Sequence, residues 1–240
     1  MSTQPQSTSD LVVGMLLFPG LTLLDLAGPY EVFSRLPKAR VHLVAARFDP
    51  ILSEKGVLIT PDTSFDDAPT FDILFVPGGT GQLQVMEDDR FLSFLREKSQ
   101  AAGLITSVCT GSLILGAAGL LRGYRATTHW RYLDLLGLLG AQPIPERVVI
   151  DRNRITGAGV SAGIDFALVV AFVLFGETTA QAIQLAIEYD PAPSFHSGSP
   201  KSADSSLVNR ISTATGELYE KRRRQIERII ALSREPTRQS

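Results

Sequence analysis

The order of the predicted elements indicates an α/β protein with a mostly parallel central sheet. Short apolar runs alternate with helix-like segments along most of the 240 residues, as repeated βαβ units require. Several runs, such as LVVGMLLF at 11–18, are apolar without alternation, which is typical of strands covered on both faces. Because 44% of the residues are hydrophobic, the chain can bury one large core, and one large domain is favoured over two small ones.

The first half of the chain predicts strands that each lead into a loop or a helix. The apolar run at 11–18 ends at Pro19, and a helix over 23–36 ends before Pro37 because proline cannot continue a helix. The predicted elements that follow are a strand at 40–47, a hairpin at 51–65 with its turn at Gly56, a strand from 71 that runs into a glycine-rich loop, an amphipathic helix at 88–102 and a β-branched strand at 104–108.

The second half predicts a helix directly after Cys109 and then a more varied order. The segment 161–176 is apolar nearly all round, which predicts a buried helix. The other predicted elements are a short strand or loop at 126–130, a helix at 131–140 closed by Gly140, two strands at 147–159 joined by a turn, a helix at 178–189, a loop rich in Pro and Ser at 190–206 and one final helix, basic around Lys221–Arg224.

The composition divides the chain into three regions and argues against nucleic-acid and membrane partners. We predict a disordered segment at 1–10, a domain at 11–204 and a helical extension at 205–240. The net charge of −2 predicts no nucleic-acid or membrane partner. The start of the chain lacks a signal peptide pattern, and the longest apolar run is far shorter than the roughly 20 residues of a bilayer span. A single cysteine fits a reducing compartment, so we predict a cytoplasmic protein.

Cys109 stands where the strand at 104–108 passes into a helix. A thiolate is the reactive form of cysteine, and the unpaired amides at a helix N-terminus lower the thiol pKa from its ordinary value of about 8.5. The sharp turn, with Gly111 close by, resembles the nucleophile elbow of hydrolases and predicts a thiol raised into a cleft. The alternative that Cys109 is a small buried core residue remains open.

Other candidate site residues lie at the ends of other predicted strands. Asp25 stands between leucines just after the first strand, either as a turn carboxylate or as an acid whose pKa is raised by burial. The amides of Gly78 and Gly79 either form an ordinary turn or bind developing negative charge as an oxyanion hole does. Of the three histidines, His129 is the candidate acid or base. No cluster of His and Cys has metal-ligand spacing, and no metal is expected.

Four stretches together resemble the DJ-1/PfpI superfamily, and within it the branch that hydrates isocyanides: LLFPGLTLLDLAGPYEVF, DILFVPGGTG, SVCTGSLILGAAGLLRGYRATTHW and GAGVSAGIDFAL. The resemblance covers about 11–200. It implies a flavodoxin-like three-layer sandwich, related to class I glutamine amidotransferases, and a homodimer. The family's cysteine and acid fall on Cys109 and Asp25, its threonine on Thr110 and its glycine-loop amide on Gly79. Many members carry Glu where this chain has Asp25.

The activity that this resemblance implies is the cofactor-free addition of water to a small-molecule isocyanide, giving an N-substituted formamide. The thiolate of Cys109 would add to the isocyanide carbon, and Asp25 would supply and then remove protons. Two other functions remain open, a cysteine redox sensor of the DJ-1 kind and an amidase or protease of the PfpI kind. The absence of a histidine directly after Cys109 argues against the protease.

The loop after the last core strand is a candidate conformational element. We expect the helix that begins near Ser161 to pack against the helix that follows Cys109. Gly157 and Gly159 permit close approach, whereas Val160 is β-branched where backbone freedom is scarce. We therefore hypothesise that larger residues at either glycine slow a step after the thiolate attack. The alternative is that these glycines only fit a turn.

Overall fold

A seven-stranded sheet forms the centre of the computed structural model, which describes residues 10–234. The strands within 10–234 are β1 (Leu11–Leu16), β2 (Ala39–Ala45), β3 (Ile51–Leu52), β4 (Leu58–Ile59), β5 (Thr63–Ser64), β6 (Ile73–Val76), β7 (Leu104–Val108), β8 (Arg125–Ala126), β9 (Gln142–Pro143), β10 (Val148–Asp151) and β11 (Arg154–Gly157). The order in the main sheet is β10-β11-β7-β6-β1-β2-β5, and all its neighbouring strands are parallel except β10 and β11; β3 pairs with β4 and β8 with β9 outside it. This confirms the α/β prediction.

Helices cover both faces of the sheet because the chain winds outwards from the β1–β6 pair in both directions. Right-handed crossovers from β1 to β2 and from β6 to β7 place their helices on opposite faces. The helices are α1 (Leu23–Phe33), α2 (Gln82–Val85), α3 (Asp89–Ser99), α4 (Gly111–Ala117), α5 (Leu133–Leu138), α6 (Ala162–Phe175), α7 (Glu177–Ala186), α8 (Ser205–Ala214) and α9 (Gly216–Arg234). Accordingly α1 packs with α6, which also packs with α7, and on the other face α4 packs with α2, α3 and α5.

The loops that follow β1, β6 and β7 meet at one edge of the sheet. β6 lies between β1 and β7, and the carboxyl ends of parallel strands share an edge. The strand order reverses at β1 and β6, and the crevice at such a point is where ligands bind in open α/β sheets. The topology therefore brings Asp25, the Gly78–Gly79 loop and Cys109 together, although the three lie far apart in the sequence.

An aromatic cluster anchors α1 and α6 to the sheet behind this edge. Phe33 of α1 and Phe166 of α6 each pack against Phe75 of β6, with ring centroids 6.0 and 5.7 Å apart. All three side chains are fully buried. Edge-on and tilted aromatic contacts at these distances stabilise the packing beyond the burial of apolar area. The position of α1, the helix that carries Asp25, is therefore fixed on the sheet.

The predictions for α6 are wrong in two respects. Its inner residues are buried, but Phe172 and Val173 remain 53% and 44% exposed, because the sheet and α1 cover only one side of the helix. α6 also packs on α1 and α7 and not on α4. The handedness of the crossovers explains this second difference, since α4 follows β7 on the face opposite to α1.

The C-terminal segment forms two helices, α8 and α9, where the sequence predicted one. The break falls at Thr215, and α9 packs back against α5. The hairpin at 51–65 pairs β3 with β4 as predicted, whereas β5 joins the main sheet beside β2. Apart from Asp10, the disordered segment predicted at 1–10 lies outside the described residues, as do 235–240 of the extension.

None of the helices within 10–234 is long and apolar enough to cross a bilayer.

Candidate active site

Cys109 occupies a sharp turn between β7 and α4 and adopts a left-handed backbone, with φ of 53°. This conformation is energetically unfavourable for a residue other than glycine, so the surrounding contacts must stabilise it. The Cys109 amide donates to the carbonyl oxygens of Gly157 and Ala158 at 3.2 and 2.9 Å. Its own carbonyl accepts from Oγ1 of Thr128 at 2.6 Å. These bonds fix the turn from two other loops.

Asp25 lies in the first turn of α1 and is fully buried. Its Oδ2 accepts from the amide of Gly78 at 2.9 Å, while Oδ1 has no hydrogen-bond partner among the described residues. Burial raises the pKa of this carboxyl to about 7, although the Gly78 amide and the neighbouring Cys109 thiol oppose the rise. Near neutral pH, Asp25 can therefore hold a proton or release it, as the sequence suggested.

The two glycines of the β6 loop fit between Asp25 and Thr110. A Cβ atom on Gly78 would lie 2.5 Å from the Thr110 nitrogen and 2.8 Å from Oδ2 of Asp25, so no side chain fits there. Gly79 has φ of 142°, and its amide donates to Oγ1 of Thr110 at 2.9 Å. In this structure both amides of the predicted oxyanion hole already have partners, Asp25 for one and Thr110 for the other.

The expectation of an exposed thiol with a lowered pKa is wrong. Cys109 is only 5% exposed, and burial together with the charge of Asp25 raises its pKa well above the ordinary range. The amides of Val160 and Thr110 donate towards the sulfur and lower the pKa in part. Desolvation outweighs these donors, so formation of the thiolate at Cys109 needs a nearby base or a nearby cation.

The end of β11 and the loop that follows it pack around the site through Gly157, Gly159 and Val160. Val160 has φ of 27°, a strained conformation for a β-branched residue, and directs its amide at Cys109. A Cβ atom on Gly157 would lie 2.9 Å from Cγ1 of Val108, and one on Gly159 would lie 2.6 Å from Cδ2 of His129. The conformational hypothesis for these residues stays a prediction. Its structural route is the loop itself, since the helices that α6 packs against most are α1 and α7 and not α4.

His129 is near the site but is held neutral. Burial, and the positive charges of Arg222 and Arg131, lower its pKa to about 4. Nδ1 accepts from the Arg131 amide at 3.2 Å, which leaves the proton on Nε2. Among the hydrogen bonds of residues 10–234, none joins His129 to Cys109. The imidazole can donate a hydrogen bond from Nε2, but it is poorly suited to accept the thiol proton.

Arg222 on α9 is a site residue that the sequence reasoning missed. It is only 3% exposed, and its Nη2 donates to the carbonyl of Gly79 at 3.3 Å. A signal was present in the sequence, because Arg222 falls at helical spacing between Tyr219 and Ile226, in the stripe that faces the domain. An arginine inside an apolar stripe is typical of a guanidinium that is buried against the domain.

Comparisons with known proteins agree with this arrangement. The model of the DJ-1/PfpI family matches residues 12–171. The chain belongs to the DJ-1/PfpI family. Among its relatives, isonitrile hydratase of Pseudomonas putida is 53% identical over 199 residues, covering 83% of this chain and 87% of that protein.

Solved structures of this family share the fold. A ThiJ/PfpI family protein from Pseudomonas syringae superposes with a TM-score of 0.89 at 44% identity, over 91% of either chain. DJ-1beta of Drosophila melanogaster has a TM-score of 0.69 at 23% identity, over 75% of this chain and 98% of that one. At 23% identity, the similarity to the Drosophila structure shows the fold alone.

Proposed function

We propose that this chain is an isocyanide hydratase, a hydro-lyase that adds water to an isocyanide and releases an N-substituted formamide. The observation that carries the proposal is the 53% identity to isonitrile hydratase of Pseudomonas putida, over most of both chains. The site supports it, because Cys109 lies beside a carboxyl whose pKa is raised to about 7. Thiolate addition, proton transfer and hydrolysis of the thioimidate, the steps of the proposed reaction, require no cofactor.

The first half-reaction joins Cys109 to the isocyanide carbon. The Asp25 carboxylate takes the proton of the Cys109 thiol, and the thiolate attacks the terminal carbon to form a carbon–sulfur bond. Asp25 returns the proton to that carbon, whose lone pair accepts it. The product is a thioimidate, with Asp25 again ionised. A pKa of about 7 suits a group that accepts and donates in turn.

The second half-reaction adds water to the thioimidate carbon. Asp25 removes a proton from the attacking water, and the electron pair of the carbon–nitrogen double bond moves to nitrogen, which takes the proton from Asp25. Asp25 then removes the hydroxyl proton as the carbon–oxygen double bond forms and the sulfur leaves. Asp25 finally returns this proton to the departing sulfur, which restores the Cys109 thiol and the Asp25 carboxylate, so that one isocyanide and one water give one formamide.

The amides around the site support roles for further residues in this scheme. The Gly78 amide fixes the position of the Asp25 carboxyl, and the Gly79 amide fixes Thr110 and with it the turn at Cys109. We assign Nε2 of His129 as a hydrogen-bond donor to substrate or intermediate, since Nδ1 is already engaged. A donor that stays neutral at working pH can stabilise developing negative charge without taking the proton that Asp25 handles.

The exposed apolar residues of α1 and α6 support a homodimer as part of this proposal. Leu24 and Tyr30 on α1 are 44% and 37% exposed, and Phe172 on α6 is 53% exposed. Apolar surface on two helices that pack together favours a second copy as its cover. The proposed protein consists of one domain at 11–204 followed by the helical extension. Its proposed location is the cytoplasm, because the chain has one unpaired cysteine, which fits a reducing compartment.

Incubation of the purified chain with an alkyl isocyanide tests the function directly. Mass spectrometry follows the formamide, and ¹⁸O-water identifies the source of its oxygen. Formation of labelled formamide at a rate proportional to enzyme is the expected result. No formamide above the buffer control, from folded protein and several isocyanides, would refute the proposal.

A further inference from the structure

Arg222 reaches the candidate site from the far end of the chain. Its Nε donates to Oε1 of Gln82 at 2.7 Å, and its Nη2 donates to the carbonyl of Gly79 at 3.3 Å. The guanidinium also stacks on the ring of Tyr132, 4.1 Å from its centroid. The side chain is thus held on three sides, by α2, by the β6 loop and by the residue just before α5.

Within the described part of the chain, no carboxylate is in contact with this buried cation. Among the ion pairs formed within residues 10–234, none includes Arg222. Both of its acceptors, Gln82 and the Gly79 carbonyl, are neutral. A buried charge is costly unless an opposite charge compensates it. Burial lowers the pKa of Arg222, and the negative charges that oppose this are those of Tyr132, Cys109 and Glu54. Of these three groups, Cys109 is the one that gains its charge during the proposed reaction.

A short series of contacts joins Arg222 to the turn at Cys109. The Gly79 carbonyl that accepts from Arg222 also accepts from Oγ1 of Thr110 at 3.2 Å, and the Gly79 amide donates to the same Oγ1 at 2.9 Å. Thr110 directly follows Cys109, and its amide is one of the two that donate towards the sulfur. The orientation of the Gly79 peptide therefore affects the donors around the thiolate.

We propose that Arg222 is a positioning residue of this site: it fixes the Gly79 peptide against Thr110 and supplies the positive charge that stabilises the anion of Cys109. Helix α9 thereby becomes part of the active site. This inference rests on the proposed function only in that the hydration passes through the Cys109 anion. The other titratable groups that interact with Cys109 or Arg222 are Asp25, Glu54, His129 and Tyr132, and the charge of Arg131 acts on His129.

Alkylation of Cys109 tests the proposal without any isocyanide. Because the chain has one cysteine, the rate of its reaction with iodoacetamide reports on this thiol alone. Arg222→Met removes the charge at similar length, and Arg222→Lys keeps the charge but loses the forked geometry. Arg223→Met is the matched control, since Arg223 neighbours Arg222 on α9 but is exposed and paired with Glu227.

The expected result is a slower alkylation of Arg222→Met at every pH between about 7 and 9, by about tenfold, since one unit of pKa changes the thiolate fraction tenfold. Arg222→Lys should recover part of the rate, and Arg223→Met should match the parent chain. NMR of His129 gives a second readout: loss of the Arg222 charge in Arg222→Met should raise the pKa of His129 above about 4, whereas Arg222→Lys, which keeps the charge, should leave it lowered.

Hydration kinetics of the same variants separate this inference from the proposed function. Arg222→Met should lower kcat for an isocyanide with little change in KM. If the parent chain hydrates no isocyanide, alkylation and the His129 titration still decide the role of Arg222. Equal alkylation rates in Arg222→Met and the parent overturn it. So does an equal slowing in Arg222→Met and Arg222→Lys, which would point to packing. If Arg222→Met does not fold, unchanged alkylation and an unchanged His129 pKa in Arg222→Gln overturn it.

Discussion

The amide of Gly78 donates to Oδ2 of Asp25 at 2.9 Å, and within residues 10–234 Oδ1 of the same buried carboxyl has no hydrogen-bond partner. A buried oxygen without a partner is costly as part of a carboxylate, but a protonated carboxyl can donate from that position. The β6 loop thus orients the acid and leaves one oxygen free for proton transfer.

Replacing the acid should slow turnover strongly. Asp25→Asn keeps the shape and the acceptor for the Gly78 amide but cannot exchange a proton, so we expect turnover to fall by about 100-fold or more. Asp25→Glu should also be poor, because the longer side chain misplaces the carboxyl in a fully buried site. Steady-state kinetics with an alkyl isocyanide measure both. Normal turnover of Asp25→Asn would place the acid elsewhere.

The raised pKa of Asp25 should also make stability depend on pH. Between pH 3.8 and about 7, the folded chain holds a proton on Asp25 that the unfolded chain has lost. The free energy of unfolding therefore falls as pH rises through this window, by up to ~4 kcal/mol. Asp25→Asn removes the effect, so its Tm relative to the parent chain should be higher at about pH 8 than at about pH 4. A Tm difference that is the same at both pH values contradicts the raised pKa.

Removal of the thiol should abolish the reaction and leave the fold intact. Cys109→Ala and Cys109→Ser lack the nucleophile that forms the thioimidate, and the small buried side chain changes little in volume. Circular dichroism checks the fold, and formamide production measures activity. Turnover in either variant, or an adduct trapped on any other residue, would exclude the covalent mechanism.

A methyl group at Gly159 should disturb the loop after β11. The added Cβ atom would lie 2.6 Å from Cδ2 of His129, so the ring or the loop must move. We expect Gly159→Ala to leave the first phase of rapid-mixing kinetics normal and to slow the second. Gly137→Ala in α5 is the control, since its Cβ atom meets only Cγ of Pro143 at 3.6 Å. Equal slowing of both phases, or of neither, rejects the hypothesis.

A charge on the outer surface of α6 should break the proposed homodimer. Phe172→Glu places a carboxylate on a residue that is 53% exposed in the single chain, where a second copy would bury it at high cost. Leu138→Glu, at 45% exposure on the opposite layer, is the matched control. Light scattering at micromolar concentration should find a dimer for the parent and the control and a monomer for Phe172→Glu. A monomeric parent chain would contradict the proposal.

The sequence predicted most elements because their signals are local. Apolar runs without alternation marked β1 and β7, and the period of Phe91, Leu92 and Leu95 marked α3. The strand-to-helix turn at Cys109 followed from a β-branched run that ends at a Thr-Gly pair. The parallel-strand rule then indicated that Asp25, the glycine loop and Cys109 share one edge, because strands that run parallel end on the same side.

Only the tertiary structure decided how these residues behave there. The pKa of Cys109 depends on what covers it, and the cover comes from distant parts of the chain, so a local pattern wrongly suggested a lowered value. Arg222 enters the site because α9 folds back on α5, which no spacing near Cys109 reveals. By itself, then, the sequence determined the elements and the chemical groups, since these follow from neighbours along the chain. Burial, charge balance and the role of the C-terminal helix were decided by tertiary packing, because desolvation and Coulomb energies depend on distances in space.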